Sequence, residues 1–178
     1  MNNKLNIYKE NWLFICMALQ KLKDNVFQLY FKQFGSCVYL IKQDKDNILI
    51  DTSSKDNANE LLYELKKLKV DPRDVHYILL THTHYDRNGN LEFFPNAKVF
   101  DEKNIDELAL INFRVIKTPG HTKDSLCFFY QGILFSGDTL FHKGVGRTDL
   151  PESQPDKMKE SIDKLNKLDY QVLAPGHI

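Results

Sequence analysis

An apolar run followed at once by two histidines and an aspartate occupies residues 77–86, Tyr77-Ile78-Leu79-Leu80-Thr81-His82-Thr83-His84-Tyr85-Asp86. The apolar half is typical of a buried β-strand that ends where the polar residues begin. In an extended loop every second side chain points the same way, so we expect His82, His84 and Asp86 to converge. Two imidazoles and a carboxylate suit a borderline metal such as Zn²⁺, which predicts a metal site at the end of this strand.

Three later segments repeat this arrangement: a predicted strand, a small-residue turn, and one side chain that can bind a metal. They are Phe113–Lys117 before His121, Ile133–Phe135 before Asp138, and Gln171–Leu173 before His177. A glycine close to each candidate ligand lets the backbone turn sharply and pass near an ion. Any one of these turns is also compatible with an ordinary solvated side chain. Taken together, the four loops predict one rim of ligands.

The remaining pattern predicts an α/β (α+β) fold in one domain over residues 1–178, with residues 1–24 as a possible N-terminal appendage. The apolar run from Trp12 to Leu19 is too short to span a bilayer and is interpreted as core. Helical spacing of leucines predicts a helix over residues 57–68 and another around Met158 to Leu168. Further strands are predicted at Val26–Phe31, Cys37–Lys42, Asn47–Asp51, Val75–Leu80, Lys98–Phe100 and Leu126–Tyr130.

The composition narrows the classes of partner. The 24 basic and 24 acidic residues cancel, so the chain has no overall field to attract nucleic acid or an acidic membrane surface. Its 3 cysteines form no C-x-x-C pair, which favours a reducing compartment, and no signal peptide is visible. We therefore expect a cytoplasmic protein that acts on a small molecule, with neither nucleic acid nor membrane as its partner.

From about Gln28 to Ile178, the ordered motifs resemble the metallo-β-lactamase superfamily, whose fold is a four-layer αβ/βα sandwich. The motifs are Asp51 after a strand, His82-x-His84-x-Asp86, His121, Asp138 and His177. The resemblance implies that His82, His84 and His121 bind a first metal. It further implies that Asp86 and His177 bind a second one, that Asp138 bridges the two, and that Asp51 holds the ligand loops by hydrogen bonds. A simple turn is the alternative for Asp51.

The residue after Asp86 is Arg87, where most dinuclear members of the family carry another metal-binding histidine. A guanidinium has no lone pair to give and stays protonated, so Arg87 is not a ligand. A second ion would have only Asp86, Asp138 and His177, and a cation nearby would oppose it. Family members that lack this histidine usually have a cysteine at the position of Asp138, which this chain does not. The sequence leaves one or two Zn²⁺ ions open, with Fe²⁺ as the alternative metal.

A metal with an open position lowers the pKa of a bound water toward about 7 and polarises a carbonyl, which favours hydrolysis of a thioester, ester or related acyl bond. Asp86 is the candidate catalytic residue, because its carboxylate can orient the water or take its proton. One alternative is a mononuclear iron persulfide dioxygenase with His82, His121 and Asp138 as ligands. A metal-binding protein without catalysis, or a redox partner, is the other.

The segments 137–141 and 144–150 are similar to the branch that holds hydroxyacylglutathione hydrolase (glyoxalase II)-like proteins and persulfide dioxygenases. This similarity implies a small thiol-derived substrate. Arg147 is the candidate for pairing with a substrate carboxylate, and an ion pair with Asp149 is equally compatible. The sequence ends one residue after His177, before the glutathione-binding helical region of the full hydrolases, which disfavours a dedicated glutathione thioesterase. The substrate, the oligomeric state and any continuation after Ile178 stay open.

Overall fold

The computed structural model describes residues 19–110 and 112–178, which form twelve strands and three α-helices. The strands are β1 (Leu19–Lys23), β2 (Val26–Tyr30), β3 (Cys37–Gln43), β4 (Asp46–Ile50), β5 (Val75–Leu79), β6 (Lys98–Phe100), β7 (Phe113–Lys117), β8 (Leu126–Tyr130), β9 (Ile133–Gly137), β10 (Leu140–Phe141), β11 (Gly144–Val145) and β12 (Val172–Pro175). The α-helices are α1 (Ala58–Lys67), α2 (Tyr85–Asn88) and α3 (Pro155–Asn166).

These strands form two main sheets. The six-stranded sheet has the order β1-β2-β3-β4-β5-β6, antiparallel up to β4 and parallel from β4 to β6. The four-stranded sheet has the order β12-β9-β8-β7, in which only β12 and β9 run parallel. The strands β10 and β11 pair as a short separate hairpin. Because β4, β5, β9 and β12 all end on the same side, their following loops meet at one edge.

The period of two along the central strands determines the layers. On β3, Tyr39 faces the four-stranded sheet whereas Val38 and Leu40 pack towards α1. On β8, Phe128 lies in the core between the sheets and Cys127 packs towards α3. A strand buried on both faces needs a cover on each side. The order is therefore helix, sheet, sheet, helix, which confirms the predicted four-layer αβ/βα sandwich.

The two covering helices follow from their apolar stripes. In α1, Leu61 and Leu65 are buried one turn apart against the six-stranded sheet. In α3, Met158 and Leu165 lie on the buried face, and Pro155 is at the helix start, where its missing N–H costs nothing. The predicted helix over residues 57–68 is thus confirmed to within one residue at each end.

The six-stranded sheet begins earlier than predicted. Its edge strand β1 lies within the span 1–24 that we interpreted as a possible appendage, and it pairs with β2 while Leu19 and Leu22 pack on opposite faces of the sheet. Three of its five residues are glutamine or lysine, so the segment is too polar to be recognised as a strand from its sequence. The predicted core position of Trp12 and its neighbours lies outside the described residues. No helix among the described residues has the length and apolar character needed to cross a membrane.

Candidate metal centre

Asp51, the residue after β4, holds the loop that follows β5. The backbone N–H of Thr81 donates to Asp51 Oδ1 and the Thr81 hydroxyl donates to Oδ2, each at 2.8 Å. Burial raises the pKa of Asp51 to about 7, although the charge of Arg87 and the bonds from Thr81 act in the opposite direction. These two hydrogen bonds fix the start of the loop relative to β4, and the position of His82 follows from them.

Three histidines converge at the rim, and we call His82, His84 and His121 the three-histidine site. Nδ1 of His84 lies 3.0 Å from Nε2 of His82 and 3.2 Å from Nε2 of His121. Two ligands of a tetrahedral zinc ion with bonds of about 2.0 Å are separated by about 3.3 Å. The three rings are close to perpendicular, with interplanar angles of 80°, 87° and 90°. The donor set and its spacing therefore fit a metal ion.

The second nitrogen of each ring has a partner that fixes the orientation of the ring. Nδ1 of His82 lies 3.1 Å from the Thr81 hydroxyl, and Nδ1 of His121 lies 2.8 Å from the carbonyl of Arg147. Such contacts orient metal-binding imidazoles and select the tautomer that leaves a lone pair for the metal. Burial lowers the pKa of His82 to about 3, so this ring is neutral at physiological pH. His82 therefore offers a free lone pair rather than a protonated ring.

Glu152 is a member of this arrangement that we did not predict. Its Oε1 lies 2.6 Å from Nε2 of His84, opposite the nitrogen that faces the other histidines. Glu152 stands 68 positions after His84, in a polar segment where an acidic residue is unremarkable. Contacts across such a separation depend on the packing of the loops, and no local pattern in the sequence signals this one.

The turn before His121 depends on a glycine. A Cβ on Gly120 would lie 3.0 Å from the backbone and side chain of Met158 in α3, so the turn packs tightly on this helix. The hydroxyl of Ser153 donates to the His121 carbonyl at 2.6 Å and holds the turn from the other side. The small-residue turn predicted from the sequence thus serves to bring a ligand close to a helix.

The other predicted ligands form a second group, which we call the arginine cluster: Asp86, Arg87, Asp138 and His177. The expectation that Asp86 converges with His82 and His84 in one extended loop is wrong, because the extended backbone ends at His84 and α2 begins with Tyr85. Asp86 groups instead with Asp138 and His177, and its Oδ2 lies 3.3 Å from His177 Nε2.

Arg87 lies in the middle of this cluster and is fully buried. Its Nη2 lies 2.6 Å from Asp138 Oδ1, 2.5 Å from His177 Nε2 and 3.3 Å from Asp86 Oδ2. Burial acts to raise the pKa of Asp138, but the charge of Arg87 together with the contacts of His177 and His82 outweighs it and holds this pKa well below its ordinary value. The other carboxylate oxygen, Asp138 Oδ2, faces the histidines at 3.6 Å from His121 Nε2.

Glycines make the close approach within the cluster possible. A Cβ on Gly176 would lie 2.2 Å from Asp138 Oδ1 and 2.8 Å from Arg87 Nη2, distances that real side chains do not reach. A Cβ on Gly146 would lie 1.8 Å from the Asp138 carbonyl oxygen. The Pro-Gly-His and Gly-x-Gly segments seen in the sequence thus have a steric reason at this rim.

The tail is fixed by backbone contacts. The N–H of Cys37 donates to the Gly176 carbonyl at 2.8 Å, and the N–H of Ile178 donates to the Gly35 carbonyl at 3.2 Å. Nδ1 of His177 donates to the Phe34 carbonyl at 2.8 Å, a partner that we did not predict because Phe34 lies in an irregular turn with φ +61°. Protein contacts alone therefore place His177 in the cluster.

Arg147 lies at the surface beyond the histidines. Its Nε and Nη2 donate to the two carboxylate oxygens of Asp149 at 2.7 and 2.8 Å. The structure thus forms the ion pair that we weighed against substrate binding. The backbone of Arg147 has a separate part in the site, since its carbonyl orients His121. His76 lies away from the site, where its Nδ1 accepts the N–H of Asn47 at 3.2 Å.

Comparison with known proteins agrees with this arrangement. The profile of the metallo-beta-lactamase superfamily matches residues 32–110 and 97–177. The probable metallo-hydrolase MJ0888 of Methanocaldococcus jannaschii is 29% identical over 81% of this chain and 88% of that protein. The hydroxyacylglutathione hydrolase of Francisella tularensis subsp. novicida is 32% identical over 78% of this chain, which spans only 61% of that relative.

The fold has solved counterparts as well. The crystal structure of TTHA1623 in a di-iron-bound form matches with a TM-score of 0.72 at 23% identity, covering 85% of this chain and 92% of that one. At this identity the likeness establishes the fold alone. The metal that the present chain binds has to be inferred from its own residues. With its layers, its ordered motifs and the profile match, the chain belongs to the metallo-β-lactamase superfamily.

Proposed function

We propose that the protein is a metal-dependent hydrolase that holds zinc at His82, His84 and His121 and cleaves a thioester, ester or related small acyl bond. The observation that carries this proposal is the spacing of 3.0 and 3.2 Å between the three imidazole nitrogens. Three histidines with one position left open are the ligand set of a catalytic zinc ion. The hydrolase class agrees with the names of the two relatives.

When bound, a zinc ion supplies an activated water at neutral pH and Lewis-acid polarisation of the acyl carbonyl. The chain supplies the positioning. Asp138 directs Oδ2 to the three-histidine site and keeps Oδ1 on Arg87. Burial acts to raise the pKa of Asp86, but contact with His177 and the charge of Arg87 outweigh it, so this carboxylate is ionised at neutral pH. We assign to Asp86 the role of accepting a proton from the attacking water.

The rim also offers a surface for the substrate. Phe34 and Tyr85 are 51% and 62% exposed, and their rings make an edge contact with centroids 5.8 Å apart. Tyr85 stands between His84 and Asp86 in the sequence, so this aromatic pair lies beside the site and suits the apolar part of an acyl or thiol group. Arg147 stays the candidate for binding a substrate carboxylate. Its ion pair with Asp149 is exposed, and an exposed ion pair contributes little free energy, so a substrate carboxylate can replace Asp149.

The test is a metal-reconstitution assay on a panel of thioesters and esters. Protein stripped with a chelator and reloaded with Zn²⁺ is expected to hydrolyse at least one thioester of a small thiol, and the His84→Ala variant is expected to be inactive. Wild-type protein that binds Zn²⁺ but shows no turnover on the whole panel would contradict the proposal. That result would favour a metal-binding protein without catalysis.

An iron persulfide dioxygenase is the second candidate, and one observation favours it. Asp138 Oδ2 lies 3.6 Å from His121 Nε2 and 3.9 Å from His82 Nε2, which brings two histidines and a carboxylate together. This set suits non-haem Fe²⁺. Oxygen consumption by Fe²⁺-loaded protein in the presence of a persulfide, with no hydrolysis by the zinc form, would select this candidate over the first.

We further propose a cytoplasmic protein with a small-molecule substrate and with neither nucleic acid nor membrane as partner. The free, buried Cys37 and Cys127 support a reducing compartment. The balanced net charge supports the absence of a polyanionic partner. Fluorescence of a tagged protein in its host checks the first point, and a nucleic-acid mobility assay at low salt checks the second.

A further inference from the structure

The arginine cluster presents the donor set expected of a second metal site, yet each of its three donor side chains has an atom in contact with one nitrogen of the protein. Nη2 of Arg87 lies 2.6 Å from Asp138 Oδ1, 2.5 Å from His177 Nε2 and 3.3 Å from Asp86 Oδ2. A metal ion bound to these atoms would lie about 2.0–2.2 Å from each of them. A positively charged group of the protein is therefore already in contact with all three donor side chains.

We propose that the guanidinium of Arg87 takes the place of a second metal ion, so that the centre binds a single ion at the three-histidine site. The donor set does not fit a second ion while Arg87 holds its position. The inference rests on the proposed metal site but is independent of the reaction that the site catalyses.

Close contacts of both terminal nitrogens hold Arg87 in position. Its Nη1 donates to the Gly176 carbonyl at 2.9 Å, and the side chain is fully buried. The Cβ that Gly176 lacks would lie 2.8 Å from Nη2, so the backbone there closes directly over the guanidinium. An incoming ion would have to displace a buried charge from two carboxylates, and an unpaired buried charge is costly. Exchange of Arg87 for a metal ion is therefore strongly opposed.

Charge points to the same conclusion. Asp86 and Asp138 supply two negative charges, and the guanidinium, which stays protonated, supplies one positive charge. A divalent ion at the three-histidine site adds two more positive charges within a few ångströms. A further divalent ion in the arginine cluster would meet the positively charged guanidinium at contact distance, and like charges at that distance repel.

The guanidinium also takes over the structural task of a second ion. It holds Asp138 by Oδ1, which leaves Oδ2 directed towards the three-histidine site. Arg87 is thus a positioning residue that acts through Asp138. Unlike a metal ion, it cannot be lost to a chelator or exchanged, so the bridging carboxylate stays in place when the protein is free of metal.

The experiment is a Co²⁺ titration of metal-free protein, followed by visible absorption and by metal analysis after desalting. The wild-type protein is expected to saturate at one equivalent per chain. The Arg87→His variant, which restores a ligand and removes the charge, is expected to take up a second equivalent. Arg87→Lys is the matched control that keeps the charge, and it is expected to remain at one. Tight binding of two equivalents by the wild type, or of only one by folded Arg87→His, would overturn the proposal.

A second variant covers the case in which Arg87→His does not fold. In the wild-type background, His177→Ala is expected to leave the end point at one equivalent and the Co²⁺ spectrum unchanged, because His177 holds no ion in this account. A lost equivalent or an altered spectrum in His177→Ala would contradict it. None of these measurements requires turnover, so the metal count and the proposed hydrolysis can fail separately.

Discussion

The three-histidine site and the arginine cluster lie side by side on one rim, but they differ in where their cation comes from. At the three-histidine site, imidazole nitrogens face each other at 3.0 and 3.2 Å, and none of the described arginine or lysine side chains contacts them. In the arginine cluster, Arg87 supplies the positive charge, and two carboxylates and an imidazole close around it. The three-histidine site takes its cation from solution as a metal ion, whereas the cation of the arginine cluster is a side chain of the protein.

The difference extends to how each group is supported. The histidines rely on partners outside the ring of ligands, such as Glu152 for His84 and the Arg147 carbonyl for His121. The arginine cluster relies on close backbone packing, because Gly176 approaches too near for any side chain. The three-histidine site is therefore suited to binding an ion, and the arginine cluster is suited to keeping a fixed structure. Substitutions in the two groups should fail in different ways.

The largest effect is expected at the three-histidine site. His121→Ala removes a ligand, and because a catalytic metal contributes several kcal/mol of transition-state stabilisation, turnover should fall by about a thousandfold or more. Stability of the metal-free protein should change far less. Steady-state kinetics with metal analysis checks this, and His76→Ala, a histidine away from the rim, is the control that should keep wild-type activity. Near-normal turnover in His121→Ala would remove the assigned ligand role.

In the arginine cluster the same kind of truncation should act on stability instead. Arg87→Met leaves the carboxylates of Asp86 and Asp138 buried without their cation, and loss of one partner of a buried pair costs about 3–5 kcal/mol. The free energy of unfolding of metal-free protein, from urea titration, measures it. Arg73→Met removes an equally well-formed but exposed pair with Asp71 and should cost far less. Equal losses in the two variants would show that burial of the pair does not matter here.

A smaller change is expected one step outside the histidines. Glu152→Gln keeps the shape of the side chain but weakens its hold on His84, and loss of such a supporting contact lowers metal affinity by about 10–100-fold. Competition with a chromophoric chelator gives this affinity. Glu160→Gln, on the exposed face of α3, is the matched control and should bind metal as the wild type does. Unchanged metal affinity in Glu152→Gln would show that the loop alone orients His84.

The smallest effect, counted per pH unit, is expected at Asp51 and concerns the pH dependence of stability. Its pKa is raised to about 7 in the folded protein, so the folded state holds this proton more tightly than the unfolded chain does. The contribution of Asp51 is then most favourable below about pH 4 and is lost as the pH rises towards 7, with a slope of at most about 1.4 kcal/mol per pH unit. The free energy of unfolding of metal-free wild type and of Asp51→Asn, measured by urea titration between these pH values, gives the contribution of Asp51. A difference between the two proteins that stays constant with pH would contradict the prediction.

The central strands and the ligand-bearing turns could be predicted from the sequence, because both depend on residues that are close together in the chain. Strands such as Cys37–Gln43 and Leu126–Tyr130 are apolar on both faces, so their position and the layers around them follow from burial alone. The turns with Pro-Gly-His mark where ligands leave the strands. Both features depend on neighbours in the chain, which is why they could be predicted.

Other features depend on distant packing and were missed. The edge strand β1 is mostly polar in sequence, and only its pairing with β2 makes it a strand. The start of α2 at Tyr85 separates Asp86 from the histidines, although the H-x-H-x-D spacing predicts convergence. That Arg87 cannot bind a metal was predictable from its chemistry. That its guanidinium fills the cluster was not, because three loops must meet to place it there.

Anomalous scattering from a crystal grown with excess Zn²⁺, recorded at the zinc absorption edge, tests the contrast most directly. The account predicts one strong peak within bonding distance of His82, His84 and His121, and ordinary density for the Arg87 guanidinium among Asp86, Asp138 and His177. A second zinc peak in the arginine cluster, with Arg87 displaced, would contradict it.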